Sequence, residues 1–321
     1  MTFRVGVTSD LKTASGEPCF NPAAFEELSA NPDIQWEWLD AGDEITVEHA
    51  AAFDALHVNL PRVTAASVAG DDLRLKIVAR NGVGFDTVDV AALADKGVIT
   101  TNTPLAVRRP VAVAALTLIF SLTSKLLTKD RLVRAGKWNE RIEHMGLGLT
   151  TRTLGVIGAG GIGRELIELA RPFFKEIIYA DPVAIDIDAA HQAPLDVVLA
   201  EADVVVVACL LTDSTRHLID AAALAKMKPT AFFVNVARGP IHDEKALITA
   251  LETGAIAGAG LDVTEQEPIA DDNPLLMMDN TIITAHSLCW TDECFEAIAR
   301  SALRSIAAVS LGRSPAHIVP A

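Results

Sequence analysis

The sequence predicts an α/β protein built around two parallel sheets, and two observations carry this prediction. Short runs of β-branched residues alternate with helical patterns along the chain of 321 residues, an order typical of parallel strands joined by helical crossovers. A turn rich in glycine, residues 158–163, follows one of these runs in the middle of the chain. Because half of the residues are apolar, a chain of this length can bury two ordinary cores, and we expect two domains.

The residues before the glycine turn predict a small, flavodoxin-like unit of five strands. The candidate strands are Arg4–Thr8, Ile34–Trp38, Ala55–Val58, Lys76–Ala79 and Val98–Thr101. A long apolar helix is expected from Pro110, a residue well suited to a first helical turn, to about Lys125. This helix would link the two domains.

The residues from the glycine turn onward predict a doubly wound sheet of the Rossmann type. Its six candidate strands are Leu154–Ile157, Glu176–Ala180, Val204–Ala208, Ala231–Asn235, Ala257–Leu261 and Thr281–Thr284. A final amphipathic helix, Glu293 to Leu311, follows these six strands and can pack on the first sheet. The first domain would then be discontinuous, residues 1–102 and 290–321, with the nucleotide domain, residues 103–289, inserted between its halves.

The glycine turn has the spacing of a dinucleotide-binding site. Gly158 would make the tight turn, Gly160 would let backbone amides approach a pyrophosphate, and Gly163 would pack the helix on the strand. Asp181 closes the next strand, eighteen residues after the last glycine, where an acidic residue accepts a hydrogen bond from a ribose 2′-hydroxyl. The alternative is a glycine-rich turn that binds nothing.

The composition excludes several classes of partner. The formal net charge is −15 and no basic run occurs, which argues against nucleic acid or an anionic membrane as a partner. Charges or glycines interrupt every long apolar stretch, so no membrane span is expected. The four cysteines show no metal-ligand spacing, which predicts reduced thiols in a cytoplasmic protein and no metal site.

Three ionisable residues follow later strands of the second sheet: Arg238, Glu267 and His286. Because ligands bind beyond the carboxyl ends of parallel strands, we expect these side chains to converge beside the cofactor. His286 can take the hydroxyl proton of an alcohol while hydride leaves the same carbon, and Glu267 would orient the imidazole. Arg238 offers a planar fork for a carboxylate. Each residue taken alone fits a structural role better, and only the three together favour a catalytic site.

A second loop, residues 81–86, follows the fourth strand of the first domain. Its closely spaced glycines can turn successive backbone amides inward and make an anion-binding nest, although an ordinary turn is the alternative. With Arg238 opposite, a substrate carboxylate would be held between the two domains.

These residues together resemble the D-isomer-specific 2-hydroxyacid dehydrogenases, over nearly the whole chain and most strongly at residues 227–239 and 258–263. The resemblance implies that Arg238, Glu267 and His286 are the catalytic residues. It also implies that the backbone of Val83 and Gly84 binds the substrate carboxylate, and that the enzyme is a homodimer joined through its nucleotide domains. Asn81 and Arg238 are expected to bind the substrate as well.

NAD is the expected cofactor, since Asp181 is followed by proline and valine and by no arginine that would favour a 2′-phosphate. Asp262 matches the family's aspartate near the nicotinamide carboxamide. The complete expected set of cofactor-binding residues is Gly158, Gly160, Gly161, Ile162, Gly163, Asp181, Cys209, Val236, Ala237 and Asp262.

The roles of four further residues are not settled by the resemblance. Arg108 and Arg109 stand where the family carries small and polar residues, and they would either bind a second anionic group on the substrate or form salt bridges across the dimer. Trp290 would wall the substrate pocket or pack in a core. By its likeness to glyoxylate/hydroxypyruvate reductases, Arg141 would reach the partner's active site.

The sequence therefore predicts an NAD-dependent enzyme that interconverts a small 2-hydroxyacid and its 2-ketoacid. Glu267 stands where formate dehydrogenases carry glutamine, which argues against formate as the substrate. Two alternatives stay open: oxidation of phosphite, and a binding protein of the same fold that senses NADH as transcriptional corepressors do.

Overall fold

The computed structural model describes residues 2–321 and divides the chain into two compact units. The first unit comprises the residues up to Val107 together with Trp290–Ala321, and the second is Arg108–Cys289. Each unit is built on one parallel sheet flanked by helices. The predicted α/β class with two parallel sheets is confirmed.

The sheet of the first unit has five strands, with bounds close to those predicted. They are β1 (Phe3–Thr8), β2 (Ile34–Leu39), β3 (Ala55–Val58), β4 (Ile77–Arg80) and β5 (Ile99–Thr101), with the short helices α1 (Val47–Ala52) and α2 (Val90–Asp95) between them. The strand order is β2-β1-β3-β4-β5, and every pair is parallel. This is the flavodoxin-like order expected from the sequence.

The second unit begins with two helices and continues as an alternation of strands and helices. Its elements are α3 (Arg108–Thr123), α4 (Leu126–Arg134), β6 (Thr153–Ile157), α5 (Gly161–Ala170), β7 (Glu176–Ala180), β8 (His191–Gln192), α6 (Leu195–Glu201), β9 (Val204–Val207), α7 (Ala221–Leu224), β10 (Phe232–Asn235), α8 (Glu244–Glu252), β11 (Gly258–Leu261) and β12 (Thr281–Ile283). The long helix predicted from Pro110 starts two residues earlier, at Arg108, and packs on α5, β10 and β11.

The second sheet has the order β12-β11-β10-β9-β6-β7-β8, so it contains seven strands where six were predicted. The additional strand, β8, is two residues long and lies at the edge beside β7. Such a short, exposed strand has no hydrophobic periodicity to reveal it. The order reverses direction at β6, which makes the carboxyl end of β6 the switch point where ligands bind in doubly wound sheets.

The last helix, α9 (Asp292–Ser310), packs on the sheet of the first unit. Its apolar face, which includes Phe295, Leu303 and Ile306, joins the core under β1 and β4. The side chain of Thr291 caps the helix by accepting a hydrogen bond from the amide of Cys294 at 3.1 Å. Trp290–Ala321 thus returns to the first unit after the chain has passed through the second.

Among residues 2–321, no single helix has the length and apolar composition of a membrane span. The pair α3 and α4, bent by 55° at the break between them, meets the criteria of length and composition only when taken together.

A buried carboxylate ties three segments of the first unit together. Asp54 accepts hydrogen bonds from the amide of Arg4 at 3.0 Å and from the Arg74 guanidinium at 2.6 Å, and it pairs with Lys76 at 3.1 Å. Burial alone would raise the pKa of Asp54, but these three donors outweigh burial and hold the pKa below its ordinary value. The charged form of Asp54 therefore stabilises the folded state.

We expect Asp54→Asn to lower the free energy of unfolding by about 1–2 kcal/mol at neutral pH, because each cationic partner is partly exposed and screened by water. A carboxyl group with a lowered pKa in the folded state stabilises it above the pKa of the unfolded state, and this contribution is lost as pH falls through the folded pKa. Urea unfolding of both proteins between pH 7 and pH 3 should show the difference shrinking in acid. The exposed Asp40→Asn is the control, and a difference independent of pH would contradict the assignment.

Candidate active site

The glycine turn at the end of β6 is too crowded for side chains at two of its positions. Gly158 has φ +93°, and a Cβ there would lie 2.6 Å from the Cα of Cys209. A Cβ on Gly163 would lie 2.0 Å from the carbonyl oxygen of Gly158. Only glycine allows this approach, which starts α5 directly above the end of β6.

The first turn of α5 is open to an anion. Gly160, the residue before the helix, provides no side-chain cap, and the first turn carries no acidic residue. Within residues 2–321, the amides of Gly161 and Ile162 donate to no protein acceptor, and the space where a Cβ of Gly160 would sit is empty to 4 Å. Unsatisfied amides at the positive end of a helix fit the pyrophosphate of a dinucleotide.

Asp181 lies beside this turn, at the end of β7. Its Oδ2 accepts a hydrogen bond from the amide of Ala159 at 2.8 Å, and its Oδ1 accepts one from the amide of Val183 at 2.9 Å. Each carboxylate oxygen keeps a second lone pair, which can accept from a ribose hydroxyl. The same carboxylate therefore fixes the glycine turn and suits the ribose of NAD.

The remaining predicted cofactor residues lie at the ends of the neighbouring strands. Cys209 follows β9 and faces Gly158, and burial raises the pKa of its thiol to about 11, so the thiol stays neutral. Val236 and Ala237 follow β10, where the amide of Ala237 donates to the side-chain oxygen of Asn235 at 2.9 Å. These residues line the same edge of the sheet as the glycine turn.

The loops after β10 and β11 touch each other at Gly239. A Cβ on Gly239 would lie 1.9 Å from the carbonyl oxygen of Thr264, so only glycine fits. The backbone carbonyl of Arg238, the preceding residue, accepts a hydrogen bond from the Asn235 side chain at 2.9 Å. The two loops thereby bring Arg238 close enough to Glu267 for its positive charge to lower the pKa of that carboxyl group.

Glu267 and His286 form a hydrogen-bonded pair. Glu267 Oε2 lies 2.8 Å from His286 Nδ1, and Glu267 Oε1 accepts from the amide of Thr264 at 3.2 Å. Burial alone would raise the pKa of Glu267, but the hydrogen bonds from His286 and Thr264 and the positive charges of His286 and Arg238 lower it below its ordinary value. Glu267 is thus a carboxylate at neutral pH, and it leaves Nε2 as the second nitrogen of the His286 ring.

The loop that carries His286 is anchored by Asp262, at the end of β11. Asp262 Oδ1 accepts hydrogen bonds from the Thr284 hydroxyl at 2.5 Å and from the amides of Ser287 and Leu288, both at 3.1 Å. The amide of His286 donates to the backbone carbonyl of Asp262 at 2.8 Å, and His286 has φ 52°. The sequence pointed to Asp262 only as a cofactor residue and gave no signal of this anchoring role.

In the first unit, the side chain of Asn81 is turned into the protein. Its Oδ1 lies 3.1 Å from His57 Nε2, and its Nδ2 donates to the side-chain oxygen of Asn59 at 3.1 Å. Asn59 in turn donates to Asp10 at 2.7 Å. Burial lowers the pKa of His57 to about 4, so the His57 ring is neutral at pH 7. The Asn81 side chain therefore supports the loop from inside.

The glycine loop after β4 presents free backbone amides. Gly82 has φ +110°, and its amide donates to the Thr103 hydroxyl at 3.0 Å, while the carbonyl of Val83 accepts from Asn102 at 2.8 Å. Across the described part of the chain, the amides of Val83 and Gly84 find no protein acceptor. This arrangement has the form of the predicted anion nest.

Three further residues singled out from the sequence make contacts within their own units. The ring of Trp290 is 54% exposed and meets the Phe295 ring edge-on at 5.0 Å. Arg109 pairs with Glu165 at 2.8 Å. Arg141 donates to the carbonyl of Trp138 at 3.0 Å, with its guanidinium over the indole ring.

Comparison with known proteins identifies relatives along most of the chain. Residues 116–287 match the family model described as D-isomer specific 2-hydroxyacid dehydrogenase, NAD binding domain. A glyoxylate reductase of Korarchaeum cryptofilum is 35% identical over 283 residues, which cover 86% of this chain and 85% of the relative. A glyoxylate reductase of Pyrococcus furiosus is 36% identical over 286 residues, with the same coverage.

Solved structures match both units. A protein from Thermus thermophilus has a TM-score of 0.87 at 29% identity and covers 99% of this chain and 100% of its own. The NADPH-dependent glyoxylate/hydroxypyruvate reductase of Sinorhizobium meliloti, solved with NADP and malonate, has a TM-score of 0.83 at 27% identity and covers 99% of this chain and 97% of its own. The chain belongs to the D-isomer specific 2-hydroxyacid dehydrogenases, and it is an enzyme that uses NAD as its cofactor.

Proposed function

We propose that this enzyme reduces a small 2-ketoacid to the D-2-hydroxyacid with NADH, and that glyoxylate is the first substrate to test. The observation that carries the proposal is the Glu267–His286 pair beside Arg238, on three successive loops of the sheet that holds the glycine turn. The relatives named glyoxylate reductase support the choice of substrate.

We assign the two units separate tasks, with the second unit as the NAD-binding domain and the first as the substrate domain. NAD would be held by the amides of the glycine turn and by Asp181, and when bound it supplies or accepts the hydride. The open first turn of α5 supports this assignment. The free amides of Val83 and Gly84 in the first unit suit a carboxylate.

His286 is the proposed acid and base. In the direction of reduction, protonated His286 donates its Nε2 proton to the keto oxygen, and in the direction of oxidation neutral His286 takes the hydroxyl proton. Glu267 stabilises the imidazolium through Nδ1 and fixes the plane of the ring. Arg238 binds the substrate carboxylate with its planar fork of donors.

We also propose a homodimer formed through the second unit. Its segment 126–145 exposes an unusual number of large apolar side chains, which a second copy would cover. They are Leu126, Leu127, Val133, Trp138, Ile142 and Met145. A cytoplasmic location is proposed as well, because the four cysteines are thiols with neither metal-ligand nor CxxC spacing.

His286→Asn should lower kcat for glyoxylate reduction by about 10²–10⁴-fold, because the substrate oxygen loses its proton donor. The Kd of NADH, measured by its fluorescence, should stay unchanged. The wild-type enzyme is first compared on glyoxylate, hydroxypyruvate, pyruvate and phosphite. Rapid turnover of phosphite alone would overturn the ketoacid assignment, and full activity of His286→Asn would overturn the mechanism.

A matched pair of substitutions serves as the control for that experiment. Glu267→Gln removes the carboxylate that pairs with His286 and should slow turnover, whereas Glu265→Gln removes a carboxylate that pairs with His217 instead. The two positions share one loop and the same change of charge. Equal losses in both variants would show that charge in the loop, and not the pair, controls the rate.

Asp181→Ser should weaken NADH binding about tenfold, because the ribose loses a charged acceptor. It should also narrow the preference for NADH over NADPH, because the carboxylate no longer repels a 2′-phosphate. Dissociation constants of both cofactors, measured by fluorescence, check this. The exposed Asp186→Ser carries the same charge change as a control, and an unchanged preference in Asp181→Ser would refute the assignment.

Trp138→Asp should convert the dimer to monomers, because a charge would be buried in the apolar interface. Light scattering during size-exclusion chromatography measures the mass. Met277 is equally apolar, 88% exposed and outside segment 126–145, so Met277→Asp is the control. A monomeric wild-type protein, or a dimer that survives Trp138→Asp, would contradict the proposed interface.

A further inference from the structure

The side chain of Arg108 lies on the glycine turn. A Cβ placed on Gly161 would be 2.5 Å from Nε and 3.1 Å from the central guanidinium carbon of Arg108, so the cation packs directly against this glycine. Arg108 is the first residue of α3, and its side chain is exposed. The contact is available because Gly161 has no side chain.

The surroundings of Arg108 are positive. Helices α3 and α5 both begin here, and neither has an acidic residue in its first turn. Arg109 has its own partner, Glu165, at 2.8 Å, whereas in the described chain no carboxylate lies within ion-pairing distance of Arg108. An arginine at a helix N-terminus is repelled by the helix dipole, so this position is unfavourable until an anion arrives.

Arg108 and Arg109 therefore differ in whether a carboxylate of this chain neutralises the guanidinium. Arg109 is neutralised within its own chain by Glu165 of α5. Arg108 packs on Gly161, on the turn where the amides of Gly161 and Ile162 have no protein acceptor among the described residues. Two free amides and one guanidinium fork on the same turn form a complete donor set for a phosphate group.

We infer that Arg108 binds the pyrophosphate of NAD from the side of α3. This role differs from both sequence-based alternatives, a second anionic group on the substrate and a salt bridge across the dimer. The inference goes beyond the proposed reaction, and it requires only that the protein binds NAD. A guanidinium suits the task because it stays charged and offers paired donors to phosphate oxygens.

The test compares Arg108→Gln with Arg109→Gln, which lose the same charge one residue apart. Fluorescence titration of NADH, and competition by ADP-ribose and adenosine, give the affinities without any catalytic turnover. Arg108→Gln should weaken NADH and ADP-ribose about tenfold, as expected for one charge-assisted hydrogen bond, and leave adenosine, which has no phosphate, unchanged. Arg109→Gln should leave all three unchanged.

Three results would overturn the inference. Unchanged affinity of Arg108→Gln for ADP-ribose would remove Arg108 from the phosphate site. Equally weakened NADH binding in Arg108→Gln and Arg109→Gln would mean that the loss of any positive charge in this region lowers the affinity. Normal NADH affinity with a higher KM confined to dicarboxylate substrates would move Arg108 to the substrate. Because NADH binding is read separately from turnover, an inactive enzyme that shows the expected affinities refutes the ketoacid proposal and leaves this one standing.

Discussion

The loops after β10 and β11 meet at a point that admits no side chain, since a Cβ on Gly239 would lie 1.9 Å from the carbonyl oxygen of Thr264. Neighbouring strands are about 4.8 Å apart, so loops that simply continue their strands would keep their side chains in separate rows. The close contact brings Arg238 beside the loop of Glu267, and Glu267 in turn holds His286 from the next loop. One backbone contact thus organises groups from three strands.

Buried polar groups keep this arrangement rigid. Asp262 binds three donors of the His286 loop with one carboxylate oxygen, and Asn235 binds the backbone carbonyl of Arg238. Both residues end central strands, where the backbone is already fixed by the sheet. The His286 side chain can therefore stay 42% exposed while the loop that carries it is held in place by buried groups.

The sequence was sufficient for the elements with strong periodicity and for the residues with a recognisable motif. The predicted strands begin and end close to their observed bounds because each is a buried run between turns. The edge strand β8 and the inward-turned side chain of Asn81 escaped prediction, since neither has a periodic signal. The anchoring by Asp262 and the contact of Arg108 with Gly161 depend on residues far apart in the chain, and only the folded structure brings them together.

Asp181 has two duties that cannot be separated by a single substitution. One carboxylate oxygen accepts a hydrogen bond from the amide of Ala159 in the glycine turn, and the same group suits the ribose of NAD. Loss of the Asp181 carboxylate would remove the acceptor of the Ala159 amide together with the acceptor proposed for the ribose. A substitution at position 181 that altered the choice of cofactor would therefore also remove one support of the glycine turn.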